Sequence, residues 1–197
     1  MSSQADTVRY TRRVRIGQAE GVRQVDFVVV SGPPGSGKST LAGGLAAELG
    51  LPLLGKDIIK EALMDSLGAS TIDESRRIGG ASISVLFALA RANGCGVLES
   101  NWSAALATES LRGLGGRLIE VFCDLDPVES HRRYLERAPS RHPGHFDHDR
   151  GDDRSLWHGP ASRPIAGGWP VIRVDTSSPV AIDSLVRDLL ITAQSIA

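Results

Sequence analysis

Lysine is nearly missing from this chain. Of 22 lysines and arginines in 197 residues, 19 are arginines, and the three lysines are Lys38, Lys56 and Lys60. A bias toward arginine accounts for the scarcity but not for where the survivors stand. Cysteine is rarer still. Cys95 and Cys123 are the only two. Each lies in or beside an expected strand, without C-x-x-C spacing, so both read as small buried hydrophobes in a reducing compartment. Net charge is almost absent as well: a formal −1 gives no global basic field toward nucleic acid or a membrane surface. No apolar run reaches the roughly 20 residues of a membrane-spanning helix. No secretory signal is visible at the start, so the expectation is a cytoplasmic protein. The length suits one α/β domain and hardly two.

What is present is concentrated in one stretch, Gly32-Pro33-Pro34-Gly35-Ser36-Gly37-Lys38-Ser39-Thr40. It satisfies G-x-x-x-x-G-K-[ST] at every fixed position. Phe27-Val28-Val29-Val30 before it reads as a buried parallel strand, and 41–49 after it reads as a helix with apolar residues at 41, 45, 46 and 49. Strand, glycine loop and helix together make a phosphate cradle. Glycines let successive N–H groups turn inward at a polyphosphate, and the helix N-terminus adds unpaired donors. Lys38 is expected at the β- and γ-phosphates, with the Ser39 hydroxyl on Mg²⁺. Arginine cannot replace a compact ammonium inside such a cradle.

The rest of the chain alternates. Strands are expected near 25–31, 52–55, 96–100, 117–123 and 170–175, and helices near 38–49, 57–67, 73–93, 103–114, 126–137 and 180–195. That rhythm predicts a three-layer α/β sandwich with a five-stranded parallel sheet covered on both faces. Helix starts are signalled by Asp73 before Glu74, Asp126 before Pro127, and Ser178 before Pro179. Residues 1–24 form a polar, arginine-containing extension. Residues 138–169, rich in Pro, Gly, charge and histidine, break the rhythm and read as a lid with an insertion.

Chemistry is expected at the carboxyl ends of the strands. Asp57, after the second strand, is the candidate general base for a substrate hydroxyl; capping a helix is its plainer role. Lys56 and Lys60 flank it and could hold an anionic acceptor, Lys60 alternatively lying on a solvated face. The third strand ends in Glu99-Ser100-Asn101. Glu99 stands where a Mg²⁺-associated acid is expected, as a metal or substrate residue, with Asp124 at the end of the fourth strand as its rival. Arg133 and Arg137 share one helical face, and Arg141 follows. Such arginines stabilise a transferred phosphoryl group, with Arg133 the candidate for substrate contact. His142, His145, Asp147, His148 and Asp149 resemble a metal site by composition, but the Pro and Gly between the first two histidines remove helical pairing, so lid or substrate contact is the reading preferred to metal.

In order, GPPGSGKST, KDIIKEAL, VLESN and the arginine-rich helix running into RHPGH resemble the small P-loop kinases called AAA-family ATPases. The likeness covers about residues 25–148. It is similar to the 5′-kinase domain of phage polynucleotide kinase and to chloramphenicol phosphotransferase. It implies a general base at Asp57 and a substrate-phosphate contact at Lys60. It also implies an acid-x-Asn strand end at Glu99 and Asn101, with Glu for the usual Asp, and lid arginines at Arg137 and Arg141. The second-region arginine and arginine-finger pattern of oligomeric AAA machines is absent, so no motor is implied. The function expected is ATP- and Mg²⁺-dependent transfer of the γ-phosphate to a small-molecule hydroxyl. The alternatives are an ATPase or switch without an acceptor, and a 5′-polynucleotide kinase, nucleic acid being the less favoured partner.

Overall fold

A computed structural model describes residues 25–147, Asp153 and 155–196. The extension at 1–24 and lid residues 148–152 and 154, His148 among them, lie outside the described residues. The order is β1 (Phe27–Ser31), α1 (Lys38–Leu49), β2 (Leu53–Gly55), α2 (Lys56–Leu67), α3 (Ile72–Asn93), β3 (Gly96–Glu99), α4 (Ala104–Arg112), β4 (Leu118–Asp124), α5 (Pro127–Arg137), α6 (Ser155–His158), β5 (Val171–Asp175) and α7 (Ile182–Gln194). Three single 3₁₀ turns, Ala138–Ser140, Pro143–His145 and Pro160–Ser162, lie in the lid region.

The five strands are all parallel, in the order β2-β3-β1-β4-β5. Residues on the central strands are buried whichever face they point to, so they read as continuous apolar runs. Val28, Val30, Val97, Ile119 and Val121 face a core shared with α1 and α7. Phe27, Val29, Leu54, Leu98 and Leu118 face a second core, filled by Leu86 and Phe87 of α3 and Ala107 and Leu111 of α4. Both cysteines are buried, as unpaired thiols. Among the described residues no helix is long and apolar enough to cross a membrane.

Helix starts differ in detail from expectation. Asp126 caps α5, accepting from the Val128 and Glu129 N–H groups, with Pro127 at the first helical position. α3 begins two residues earlier than Asp73 suggested: Thr71 caps it and Glu74 reciprocates, a capping box that satisfies two donors at once. α7 starts at Ile182, not directly after Ser178-Pro179.

Candidate active site

Strand register assembles the site before any side chain is considered. With all strands parallel, their carboxyl ends share one rim. Glu99 closes β3 opposite Val30 of β1 on one side and Gly55 of β2 on the other. The loop after β1 and the helix after β2 therefore flank it.

The loop has the backbone its motif demands. Gly32, Gly35 and Gly37 take φ of 138°, 83° and 85°, which side-chain-bearing residues rarely adopt. A Cβ on Gly35 would sit 2.1 Å from the Ser130 carbonyl oxygen, so α5 is packed against the back of the loop. The Pro34 carbonyl accepts from Ser130 Oγ at 2.7 Å and from Trp157 Nε1 at 3.0 Å. Lys38 is buried and donates to the Pro33 carbonyl at 2.7 Å. Burial pushes its ammonium down from the usual lysine range, against the pull of Glu99.

Ser36 Oγ has no hydrogen-bond partner among the described residues. The Cys123 thiol beside it, pushed up to about 12 by burial, stays protonated. An orphaned hydroxyl in a glycine cradle, with a lysine folded back on the loop's own carbonyl, fits a polyphosphate. Ser39 and Thr40 are exposed at the start of α1. Ser39 and Glu99 face one opening, a hydroxyl and a carboxylate suited to Mg²⁺.

That opening is a cavity of about 260 Å³ lined by Ser39, Leu53, Gly55, Asp57, Ile58, Glu61, Glu99, Arg137 and Arg141. The expected general base, the expected metal-side carboxylate and two lid arginines thus share one wall system with the loop. Burial pushes the Asp57 carboxyl up. Lys56 at 3.0 Å and Arg141 at 2.8 Å outweigh it, and hold the group well below the usual carboxylate range. Glu99 is buried, which raises its pKa, while Lys38 opposes the rise.

Arg141 also reaches Asp147 at 2.8 Å, and the Tyr134 hydroxyl donates to that buried carboxylate at 2.7 Å. The histidines stitch this segment to α2. His142 Nε2 lies 3.1 Å from Asp65, and His145 Nε2 lies 2.8 Å from Glu61. Among the described residues no His, Cys, Asp and Glu group is arranged to hold a metal ion. Glu61 is a lining residue that the sequence reading passed over. Its i,i+4 spacing from Asp57 on one face of α2 was the available signal. Ser130, Tyr134, Asp147 and Trp157 were not foreseen, because their partners are distant in sequence.

Other expected residues lie elsewhere. Lys60 does not line the cavity: it is buried between α2 and α3 and donates to Ser75 Oγ at 2.7 Å. Asn101 is exposed in the loop after β3. Arg133 turns to the opposite edge of the sheet on the same rim, donating to the Thr176 and Ser177 carbonyls at 2.9 Å after β5. Asp124 pairs with Arg173 at 3.0 Å and faces a second cavity across Pro33, beside Trp157 and Arg163. That cavity contains none of Asp57, Glu99 or Ser39, so the first is the site of interest.

Comparison with known proteins agrees with this fold. The family model described as AAA domain matches residues 27–145. A crystal structure of a presumptive kinase from Chloroflexus aurantiacus is 31% identical, with a TM-score of 0.73, covering 84% of this chain and 97% of that one. A gluconokinase from Sinorhizobium meliloti shares the fold at 21% identity and a TM-score of 0.53, covering 89% and 95%. A cytidylate kinase of Ignicoccus hospitalis is 48% identical over 46 residues, 23% of this chain and 27% of that protein's length. The matched span runs from β1 through the phosphate loop to the turn after Arg141, and the chain belongs to the AAA domain family, on the fold of the small P-loop kinases.

Proposed function

We propose that the chain is an ATP-dependent phosphotransferase that moves the γ-phosphoryl group to a hydroxyl of a small molecule. One observation carries this reading: Ser39, Asp57, Glu99, Arg137 and Arg141 line a single opening at the mouth of the Lys38 loop. The kinases among the structural neighbours support it. Bound at the loop, ATP with Mg²⁺ supplies the transferable group and offsets part of its charge, Ser39 and Glu99 being the residues that would hold the ion.

Lys38, leaving the Pro33 carbonyl, meets phosphate oxygens. Arg137 has no ion-pair partner among the described residues and stands where transition-state charge needs a cation. Asp57 orients the acceptor hydroxyl. Its two oxygens are engaged by Lys56 and Arg141, yet each keeps a lone pair. The acceptor oxygen forms its bond to the γ-phosphorus as the bond to the bridging oxygen breaks. The hydroxyl proton passes to Asp57, and ADP leaves with the electron pair.

Asp57→Asn tests the assignment. It should retain ATP affinity and lower phosphotransfer by about 10²–10⁴, the range of a general base. Lost nucleotide affinity with an unchanged rate on bound substrate would move Asp57 to the nucleotide side.

A further inference from the structure

We infer that the acceptor is a hydroxyl compound without negative charge, one that offers hydrogen-bond donors to Glu61 and an apolar face to Leu53 and Ile58. This rests on the phosphotransferase reading above and narrows its substrate class.

Among the described residues, and Arg137 apart, the cations near the acceptor wall are already engaged. Arg141 is held by two carboxylates, Asp57 and Asp147, each at 2.8 Å. Lys56 is paired with Asp57 at 3.0 Å. Lys60, the residue best placed by sequence to meet an anion, is buried against Ser75 and absent from the lining. Gly79 of α3 lies against it: a Cβ there would be in ordinary contact, 3.8 Å from Lys60 Cε and 3.9 Å from Lys56 Cε. Arg137 remains: it lines the same opening, and the phosphotransferase reading above commits it to the charge on the transferred phosphoryl group.

The wall that faces an acceptor is acidic and apolar. Glu61, 40% exposed, lines it and is held by His145 Nε2 at 2.8 Å. Burial, with Arg141 nearby, favours the neutral imidazole, so His145 orients the carboxylate without cancelling its charge. Ile58 is 61% exposed and Leu53 36%, an apolar pair beside that carboxylate. A carboxylate or phosphate on the acceptor would meet Asp57, Glu61 and Glu99, while among the described residues the unpaired cation of the lining, Arg137, is taken by the phosphoryl group. Like charges brought together at such a wall are disfavoured. Hydroxyl or ammonium donors meet an acceptor-only group instead.

The test is ATP-dependent mass gain of one phosphate on hydroxyl compounds sorted by charge. The anions are gluconate and shikimate, the neutral compounds glucose and cytidine, and the cations glucosamine and ethanolamine, each with pools of similar compounds. Product is expected in the neutral or cationic group, and which of the two responds identifies the donor as hydroxyl or ammonium. For that acceptor, Glu61→Gln should lower kcat/KM at least tenfold and leave KM for ATP unchanged. Anions turned over tenfold better than both other groups would overturn the acceptor class while leaving the kinase reading intact. An unchanged kcat/KM in Glu61→Gln would overturn the role of Glu61. ATP consumption with no phosphorylated compound in any group would overturn the phosphotransferase reading itself.

Discussion

Asp57 has two requirements that conflict. As a base it needs affinity for a proton, yet Lys56 and Arg141 hold it far below the usual carboxylate range despite its burial. The folded pKa is depressed. The contribution of these pairs to stability is therefore present above the unfolded value of about 3.9, and lost as pH falls through the folded value. At neutral pH it is complete. Arg141→Met removes one of the two cations and leaves the burial, so the Asp57 pKa rises. The acid limb of the kcat/KM profile should move to higher pH, and kcat should fall by about 10²–10³ with a smaller change in ATP affinity. A limb that stays in place would mean that another group sets it. Lys38→Ala is the sharper variant at this scale. It removes the loop's only cation, so nucleotide turnover should be abolished in a protein whose circular dichroism is unchanged. Wild-type turnover in that folded variant would refute the phosphate-cradle assignment.

At the scale of elements, β4 carries the feature least expected of a core strand. Glu120 is fully buried. It accepts from Ser31 Oγ at 2.6 Å, from the Ile165 and Ala166 N–H groups at 2.8 and 2.9 Å, and from Trp169 Nε1 at 3.1 Å. One carboxylate thus fastens the segment before β5 to the strand beside the phosphate loop. Glu120→Ala orphans four donors and should cost roughly 3–5 kcal/mol, read as a lower urea midpoint. Glu120→Gln, whose amide oxygen still accepts, should cost less. Equal loss in both would show that charge, not acceptance, is what the donors need. The same residue shows why sequence reading stopped where it did. The glycine loop and the five strands were legible because their signals are local: a spacing of a few residues, or a run of Val and Leu. Glu120 acts across 45 residues to Ile165, and Arg141 across 84 to Asp57; no periodicity records such a distance. Lys60 misled for a related reason. Its spacing from Asp57 was visible, but Ser75 of α3, which holds it inward, was not.

For the molecule as a whole, residues 138–169 read in sequence as a lid with an insertion, and they are anchored in two different places. Trp157 and Ile165 are buried at 3% and 7% exposure, too far apart in sequence to make an apolar pattern. They tie 155–169 to Pro34 of the loop and to Glu120 of β4. The 138–147 half instead rests on the acceptor side, through Arg141 to Asp57, His142 to Asp65, His145 to Glu61 and Ser75 to the Gly144 carbonyl. Those contacts are mostly polar and partly exposed, the kind that open at low cost, whereas the 155–169 anchors are core-like. A ligand that draws Arg137 and Arg141 toward phosphate must rearrange the first half and can leave the second in place. Hydrogen exchange with and without a non-hydrolysable ATP analogue and Mg²⁺ should show changed protection in α2, α3 and 138–147. Protection of 155–169 should be high and equal in both states. If 155–169 gains as much protection as 138–147, the stretch moves as one body and the Trp157 and Glu120 anchors do not hold it. If neither half changes, Arg141 stays on Asp57 when nucleotide is bound, and its part in phosphoryl transfer is confined to holding the base.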